Sequence, residues 1–308
     1  LLVLILIIVT VVSIKPGKYI LSNDNYSPEL NPALSVSRYL QSPAWRGYRV
    51  LGFASDSEQA DIFRSGIFSI FNTFMPTWLV NQLFYFVSMA IGSLSIASLI
   101  KLLLKDSKLK KYSNYGYLFG GILYFTTLWT MWLFYQNMAP YIVNFGFLPL
   151  LFLSIYKYSK EDSWKNLIFI FLSSLLFTAT SIISTLFLVD FLFIVLFIIF
   201  VHFSSKYGRK REWKNIFITL GVLIVTQLFW ILPFLHYTFT TSSDIVSSYV
   251  NRTITSTVID QETSSQTLAN SARFYNRTLF EQDEGEYVFP MDDLFVGYDF
   301  YNVFGLIT

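Results

Sequence analysis

Apolar runs long enough to cross a bilayer recur along this chain, and they dictate its architecture. A helix needs about 20 apolar residues to span the hydrocarbon core. Inside that core the backbone has no water to bond, so only helices or closed barrels survive. Seven stretches qualify, at residues 1–14, 78–104, 116–135, 138–158, 167–181, 182–203 and 216–237. The fifth is short, and it can form a helical hairpin with the sixth, turning near Ser181–Ser184. The expectation is an all-α membrane protein, a multispan helical bundle. Only 14% of the residues are charged, against about 25% in a soluble domain. The 32 Phe and 20 Tyr suit lipid-facing and interfacial positions.

The charges between the runs predict sidedness. Lys101, Lys105, Lys108, Lys110 and Lys111 follow the second run, Lys157, Lys160 and Lys165 the fourth, and Lys206, Arg209, Lys210, Arg211 and Lys214 the sixth. If all seven runs cross, these three loops share one side, and they hold 13 of the 22 Lys and Arg. The positive-inside rule makes that side cytoplasmic. The N-terminus is then cytoplasmic, in a multi-pass protein of the cell membrane. Residues 1–237 form the transmembrane core. Its first outer loop, residues 15–77, and the segment 238–308 are extracytoplasmic. The latter carries three Arg against ten Asp and Glu. The chain opens inside an apolar run and ends without a stop-like feature, so we expect a piece of a longer protein.

Several chemistries are excluded or disfavoured. There is no cysteine, hence no disulfide, thiolate metal site or cysteine nucleophile. The two histidines, His202 and His236, are too few for a histidine-rich metal site. No glycine-rich phosphate loop, Ser-His-Asp arrangement or nucleic-acid patch is present; topology accounts for the short basic clusters.

The first outer loop carries the candidate chemistry. Asp24 follows the first run by about ten residues, and Arg38, Trp45, Arg46 and Arg49 come after it. A carboxylate there can take a proton from an acceptor hydroxyl as it attacks a sugar. An arginine can hold a departing phosphate by paired hydrogen bonds, and a Trp offers an apolar face to a sugar ring. Asn23-Asp24-Asn25 and the nearby prolines equally suit an ordinary solvated turn. Further on, Asp56, Glu58 and Asp61 could supply oxygen ligands for Mg²⁺ or Ca²⁺, although acids at a helix start more simply cap it. Ile62, Phe63, Ile67, Phe68, Ile70, Phe71 and Phe74 fall mostly on one helical face. That helix can lie flat at the outer interface, pack on the bundle, or do both.

One loop after the first helix, a juxtamembrane helix and a multispan bundle together resemble the GT-C glycosyltransferases. Lys15-Pro16-Gly17-Lys18, Asp24, Pro32, Arg38, Tyr39-Leu40 and Trp45 are similar to the start of the AftD-like arabinofuranosyltransferases. Phe229-Trp230-Ile231-Leu232-Pro233-Phe234-Leu235 looks like that family's Trp-rich segment. The chain departs from the pattern at Asn25-Tyr26 and across residues 55–61, and YfhO-type membrane proteins share the general look. The resemblance implies a GT-C bundle, a polyprenyl-phosphate-sugar donor, an inverting displacement and a catalytic carboxylate at Asp24.

Three further residues stand out. Asp190 is the only acidic residue within a run. It should face the bundle or a wet cavity, either as a donor-site or relay residue or as a structural partner of Thr178, Thr180 or Ser184. Trp230 and His236 lie toward the outer end of the seventh run, where a protonated His can meet a phosphate and an interfacial anchor is the plainer role. The expected activity is transfer of a sugar from a polyprenyl-phosphate carrier to a cell-envelope glycan or glycoprotein. The expected partners are the bilayer, the lipid-linked sugar and the acceptor, with no nucleic acid. The rivals are a transporter or flippase of lipid-linked sugars and a non-catalytic envelope assembly protein.

Overall fold

The computed structural model describes residues 1–20, 31–41, 45–46, 53–54, 57–127, 130, 138–203, 209–247, 282–283 and 286–287. Its α-helices are α1 (Leu2–Ser13), α2 (Pro32–Gln41), α3 (Ile62–Phe71), α4 (Thr77–Lys105), α5 (Ser113–Thr126), α6 (Ala139–Lys160), α7 (Trp164–Phe177), α8 (Ser184–Phe203) and α9 (Arg209–Ser247). A short 3₁₀ turn, Glu58–Asp61, leads into α3, and another, Thr178–Ile182, joins α7 to α8. Trp45–Arg46 pairs antiparallel with Phe53–Ala54. The chain divides into two compact units, Leu1–Thr238 and Phe239–Thr308. In the second, Gln282–Asp283 pairs antiparallel with Glu286–Tyr287.

This is a helical membrane protein. Among the described residues, five helical stretches are long and apolar enough to cross a membrane: Thr77–Lys105, Ala139–Lys160, Trp164–Ile182, Ser184–Val201 and Trp213–Thr240. Helix α8 shows why lipid is the fitting solvent. Leu188, Val189, Leu192, Phe193, Leu196 and Phe200 are all more than half exposed along one face. Phe187, Asp190, Ile194, Ile198 and Val201 are buried on the other. In water such a stripe would be a large apolar liability; in hydrocarbon it is ordinary.

Two of the seven expected spans are not among these five. Leu2–Ser13 is a shorter apolar helix. Within the run expected at 116–135, the helix that begins at Ser113 ends at Thr126. There Thr127 turns to extended backbone, and the threonine hydroxyls bond locally. Thr130 Oγ1 donates to the Tyr124 carbonyl at 2.7 Å and lies 2.8 Å from Thr127 Oγ1. Such bonds offer the backbone an alternative to helix. The expected turn between α7 and α8 is present as the Thr178–Ile182 3₁₀ segment. Its first four residues are buried.

Helices α4 and α6 run parallel, Gly92 lying beside Phe145 and, further along both, Asp106 beside Lys160. Helix α4 packs chiefly on α5 and α6, and α6 on α7. Glycines let α4 and α6 approach closely, because an added Cβ on Gly92 would sit 2.5 Å from the Phe145 carbonyl oxygen and one on Gly146 2.8 Å from that of Ser88. Small residues of this kind allow close van der Waals contact where lipid removes the hydrophobic drive between helices. Hydroxyls add interhelical bonds. Ser154 Oγ meets Ser173 Oγ at 3.0 Å between α6 and α7, and Ser174 Oγ meets Thr226 Oγ1 at 2.6 Å between α7 and α9.

The lysine-bearing helix ends meet. Asp106, just beyond α4, accepts from Tyr156 Oη at 2.7 Å and pairs with Lys160 Nζ at 2.7 Å, both at the end of α6. Lys101 lies over the Tyr117 ring of α5, and Phe203 meets Trp213 edge to face between α8 and α9. The α3 helix and the 3₁₀ turn Thr178–Ile182 belong to the opposite end, tied through Ser57 Oγ, which donates to the Ile182 carbonyl at 2.9 Å.

Candidate functional site

The end of the bundle opposite the lysines holds three constructions: an amide clamp, a buried ion pair beside an apolar groove, and a polar cavity.

The clamp comes from Asn81 and Gln82 at the start of α4, both buried. Gln82 Oε1 accepts from Lys15 N at 2.8 Å, and its Nε2 donates to the carbonyls of Lys15 at 2.8 Å and Lys18 at 2.6 Å. Asn81 Oδ1 accepts from Ile20 N at 2.8 Å, while its Nδ2 donates to the Ile20 carbonyl at 3.3 Å. Two side chains thus satisfy backbone groups that leave α1 and would otherwise be unpaired in an apolar setting. Gly17, at φ 71°, makes the turn between them, in a region where glycine is at home. Ile20 precedes Asp24 by four residues, so the clamp fixes where the loop after α1 begins. The signal in the sequence was a pair of adjacent amides at the head of an apolar run.

The ion pair sits at the start of α3. Arg64 Nε donates to Asp61 Oδ1 at 2.6 Å and its Nη2 to Oδ2 at 2.8 Å, a bidentate geometry. Ser65 Oγ and Tyr39 Oη also donate to Oδ2, at 3.0 and 3.3 Å. Asp61 is 1% exposed and Arg64 7%. Asp61 holds the N-cap position of α3, and its carboxylate is engaged by these side chains. The carboxylate takes side-chain donors, with no cap bond to the backbone of α3. Glu58 is half-buried, and Asp56 lies outside the described residues. Among the described residues no three His, Asp or Glu side chains converge. The pairing was legible in the spacing, since Asp61, Arg64 and Ser65 are three and four apart, where helical side chains meet.

Helix α3 does not simply bury its apolar stripe. Arg64, Ser65 and Phe68 face inward, with Arg64 over the rings of Phe68 and Phe84 at 5.2 and 5.3 Å. Ile70, Phe71 and Phe74 are exposed, which suits an interfacial helix. Phe63 ties α3 to α9 through an edge contact with Phe229 at 5.4 Å. Beneath α3 runs a groove of about 370 Å³ between α3, α4 and α6. Its walls are almost wholly apolar, among them Phe71, Phe84, Val87 and Phe147, and Arg64 is the one charged residue among them.

The polar cavity, about 220 Å³, lies where the end of α5 meets the starts of α6 and α8. Tyr124, Thr127, Thr130, Tyr141 and Asn144 line it, closed by Phe145 and Leu186. Asn144 Nδ2 donates to Asp190 Oδ2 at 2.8 Å. Asp190 is buried at 5% exposure. The partner is therefore an amide on α6, in place of Thr178, Thr180 or Ser184. The cavity shares Tyr124, Tyr141 and Phe145 with the apolar cluster on which Ile20 rests.

The remaining candidates are placed as follows. Trp230 is buried at 2% exposure, its Nε1 donating to Gln227 Oε1 at 2.7 Å and its ring edge-on to Phe187 at 4.9 Å. Gln227 in turn donates to the Ser174 carbonyl and hydroxyl at 3.3 Å. These bonds place Trp230 in the packing of α7, α8 and α9. His236 is exposed on α9, Arg38 is half-buried on α2, and the backbone of Trp45 and Arg46 forms a strand. Asp24 and Arg49 lie outside the described residues.

Comparisons with protein-family models, with curated proteins and with solved structures find no match for this chain.

Proposed function

We propose that the protein is a membrane glycosyltransferase of GT-C type that uses a polyprenyl-phosphate-linked sugar at the end of the bundle opposite its lysines. The observation that carries the reading is the groove beneath α3. It is an apolar channel between an interfacial helix and two spanning helices, with a guanidinium in its wall. An isoprenoid chain is apolar along its length, and these walls suit it; the Arg64 charge is balanced by Asp61 in the bidentate pair.

On this reading the lysine-rich end is cytoplasmic, by the positive-inside rule, and the chemistry is extracytoplasmic. Asp24 is the base that activates the acceptor hydroxyl, on a loop whose beginning is fixed by Asn81 and Gln82. The likeness of residues 15–45 to AftD-like enzymes supports the same assignment. The acceptor is a cell-envelope glycan or glycoprotein. Arg38, Arg46, Arg49 and His236 are candidates to hold the donor phosphate, and a divalent cation is an option at the same place.

The test is transfer by the purified chain, in lipid nanodiscs, from a radiolabelled polyprenyl-phosphate sugar to cell-envelope acceptors. Labelled acceptor supports the reading. Intact donor after prolonged incubation, across donors of several sugars, contradicts it.

A further inference from the structure

We propose that the cavity between α5, α6 and α8 is a binding site for a neutral, hydroxyl-rich ring of monosaccharide size, read out by Asn144. The sugar identity rests on the transfer reading above; the site itself is argued from its own lining.

Size comes first. The cavity volume is about 220 Å³. That is below the range of drug-sized pockets and of the order of one sugar ring. Lining chemistry comes next. Two tyrosines, two threonines and an amide converge on a space walled otherwise by Phe145 and Leu186. The Tyr124 hydroxyl already donates to the Phe145 carbonyl at 2.9 Å and Thr130 Oγ1 to the Tyr124 carbonyl at 2.7 Å, so these oxygens remain as acceptors for a ligand's hydroxyls, while aromatic faces meet the C–H faces of a ring. Tyr124 and Phe145 stack with ring centroids 4.3 Å apart.

Charge narrows the ligand. No Lys or Arg is among the lining residues, so an anion finds no counter-charge there. Among the described residues, the carboxylate beside the cavity is that of Asp190, which stands behind Asn144 and already accepts its Nδ2. A bare cation would need several hard oxygens, and one carboxylate oxygen is engaged. A neutral polyol remains.

The Asn144–Asp190 bond also orients the site. A carboxylate only accepts, so the bond fixes which end of the Asn144 amide is nitrogen. With one Nδ2 hydrogen held by Asp190, the other hydrogen and Oδ1 form a fixed donor and acceptor pair, suited to two neighbouring hydroxyls. Asp190 is thus a positioning residue. Leu186 and Asp190, four apart, share one face of α8, which explains how that helix both walls the cavity and braces its amide. Position completes the case, because the cavity shares walls with the cluster that seats Ile20, four residues ahead of Asp24.

The chain lacks cysteine, so a single introduced thiol is a clean reporter. Thr127→Cys places it in the cavity wall, with Tyr141→Cys as an alternative should that variant fold poorly. Ser107→Cys, at the lysine-rich end, is the control. Maleimide labelling would be followed in nanodiscs with and without a panel of methyl pyranosides and furanosides. The expected result is that at least one glycoside slows labelling at the cavity thiol and not at the control, and that adding Asn144→Leu abolishes the protection. Equal labelling rates with every glycoside, up to its solubility limit, overturn the site whether or not the protein transfers sugar. If wild type transfers sugar, Asn144→Leu should raise the donor KM about ten-fold or more, with Asp190→Asn intermediate. An unchanged KM would overturn the cavity while leaving the transfer reading intact.

Discussion

Asn144 on α6 and Asp190 on α8 are joined by one hydrogen bond, Nδ2 to Oδ2 at 2.8 Å, inside the apolar body of the bundle. Asp190 is 5% exposed, so removal of its donor leaves a buried acid without that partner. Asn144→Leu should cost about 1–3 kcal/mol, the penalty of an unsatisfied buried polar group. Asp190→Leu, which leaves only an amide unpaired, should cost less. Thermal unfolding in detergent checks the order of the two; equal effects would argue that the bond contributes little.

The Asp61–Arg64 pair is nearly closed to solvent. Breaking such a pair by removing one partner costs roughly 3–5 kcal/mol, because the other charge stays buried. Asp61→Ala should therefore destabilise strongly. The double variant Asp61→Asn with Arg64→Gln should recover much of the loss. The pair Asp106–Lys160 is a contrast, with side chains about half exposed. Lys160→Ala should change stability by no more than about 1 kcal/mol. Chemical unfolding of the three variants side by side decides the matter.

Gln82 bonds three backbone groups after α1. Gln82→Leu should lower stability by about 1–3 kcal/mol. It should also raise hydrogen exchange at residues 15–20 well before it does so in α6. Exchange that rises everywhere alike would show that the clamp has no local role.

Gly92 faces the Phe145 carbonyl across the α4–α6 contact, and backbone cannot yield to a new Cβ at 2.5 Å. Gly92→Ala should cost about 1–3 kcal/mol through overpacking. Gly221, with open space at its Cβ position, is the matched control on α9. There the same change should be neutral or stabilising, since alanine favours helix by up to about 1 kcal/mol.

The spans were legible because a 20-residue apolar run has few other fates in a bilayer. Their ends were less so. Hydropathy continues past Thr126, but the side chains of Thr127 and Thr130 bond the local backbone and each other, and the helix stops. Asp190 was visible as a lone acid in an apolar run, yet its partner was not, because helix rotation and tilt bring Asn144 to it from 46 residues away. Asp61 was read as a cap or ligand although Arg64 and Ser65 stood at helical spacing. Burial decided that case, and burial is set by α2 and α4 packing around α3. The groove was illegible for the same reason, being a property of three helices and of none alone. Trp230 stood out as a donor-site candidate toward the outer end of its run; Gln227, one turn before it, claims its indole nitrogen.

The central claim is sugar transfer from a polyprenyl-phosphate donor with Asp24 as base, and it is tested most directly by single-turnover transfer in nanodiscs, wild type against Asp24→Asn. A lost general base should slow the chemical step by about 10²–10⁴-fold, with donor KM little changed. Equal rates for the two proteins would remove Asp24 from the mechanism, and absence of transfer by wild type would contradict the account as a whole.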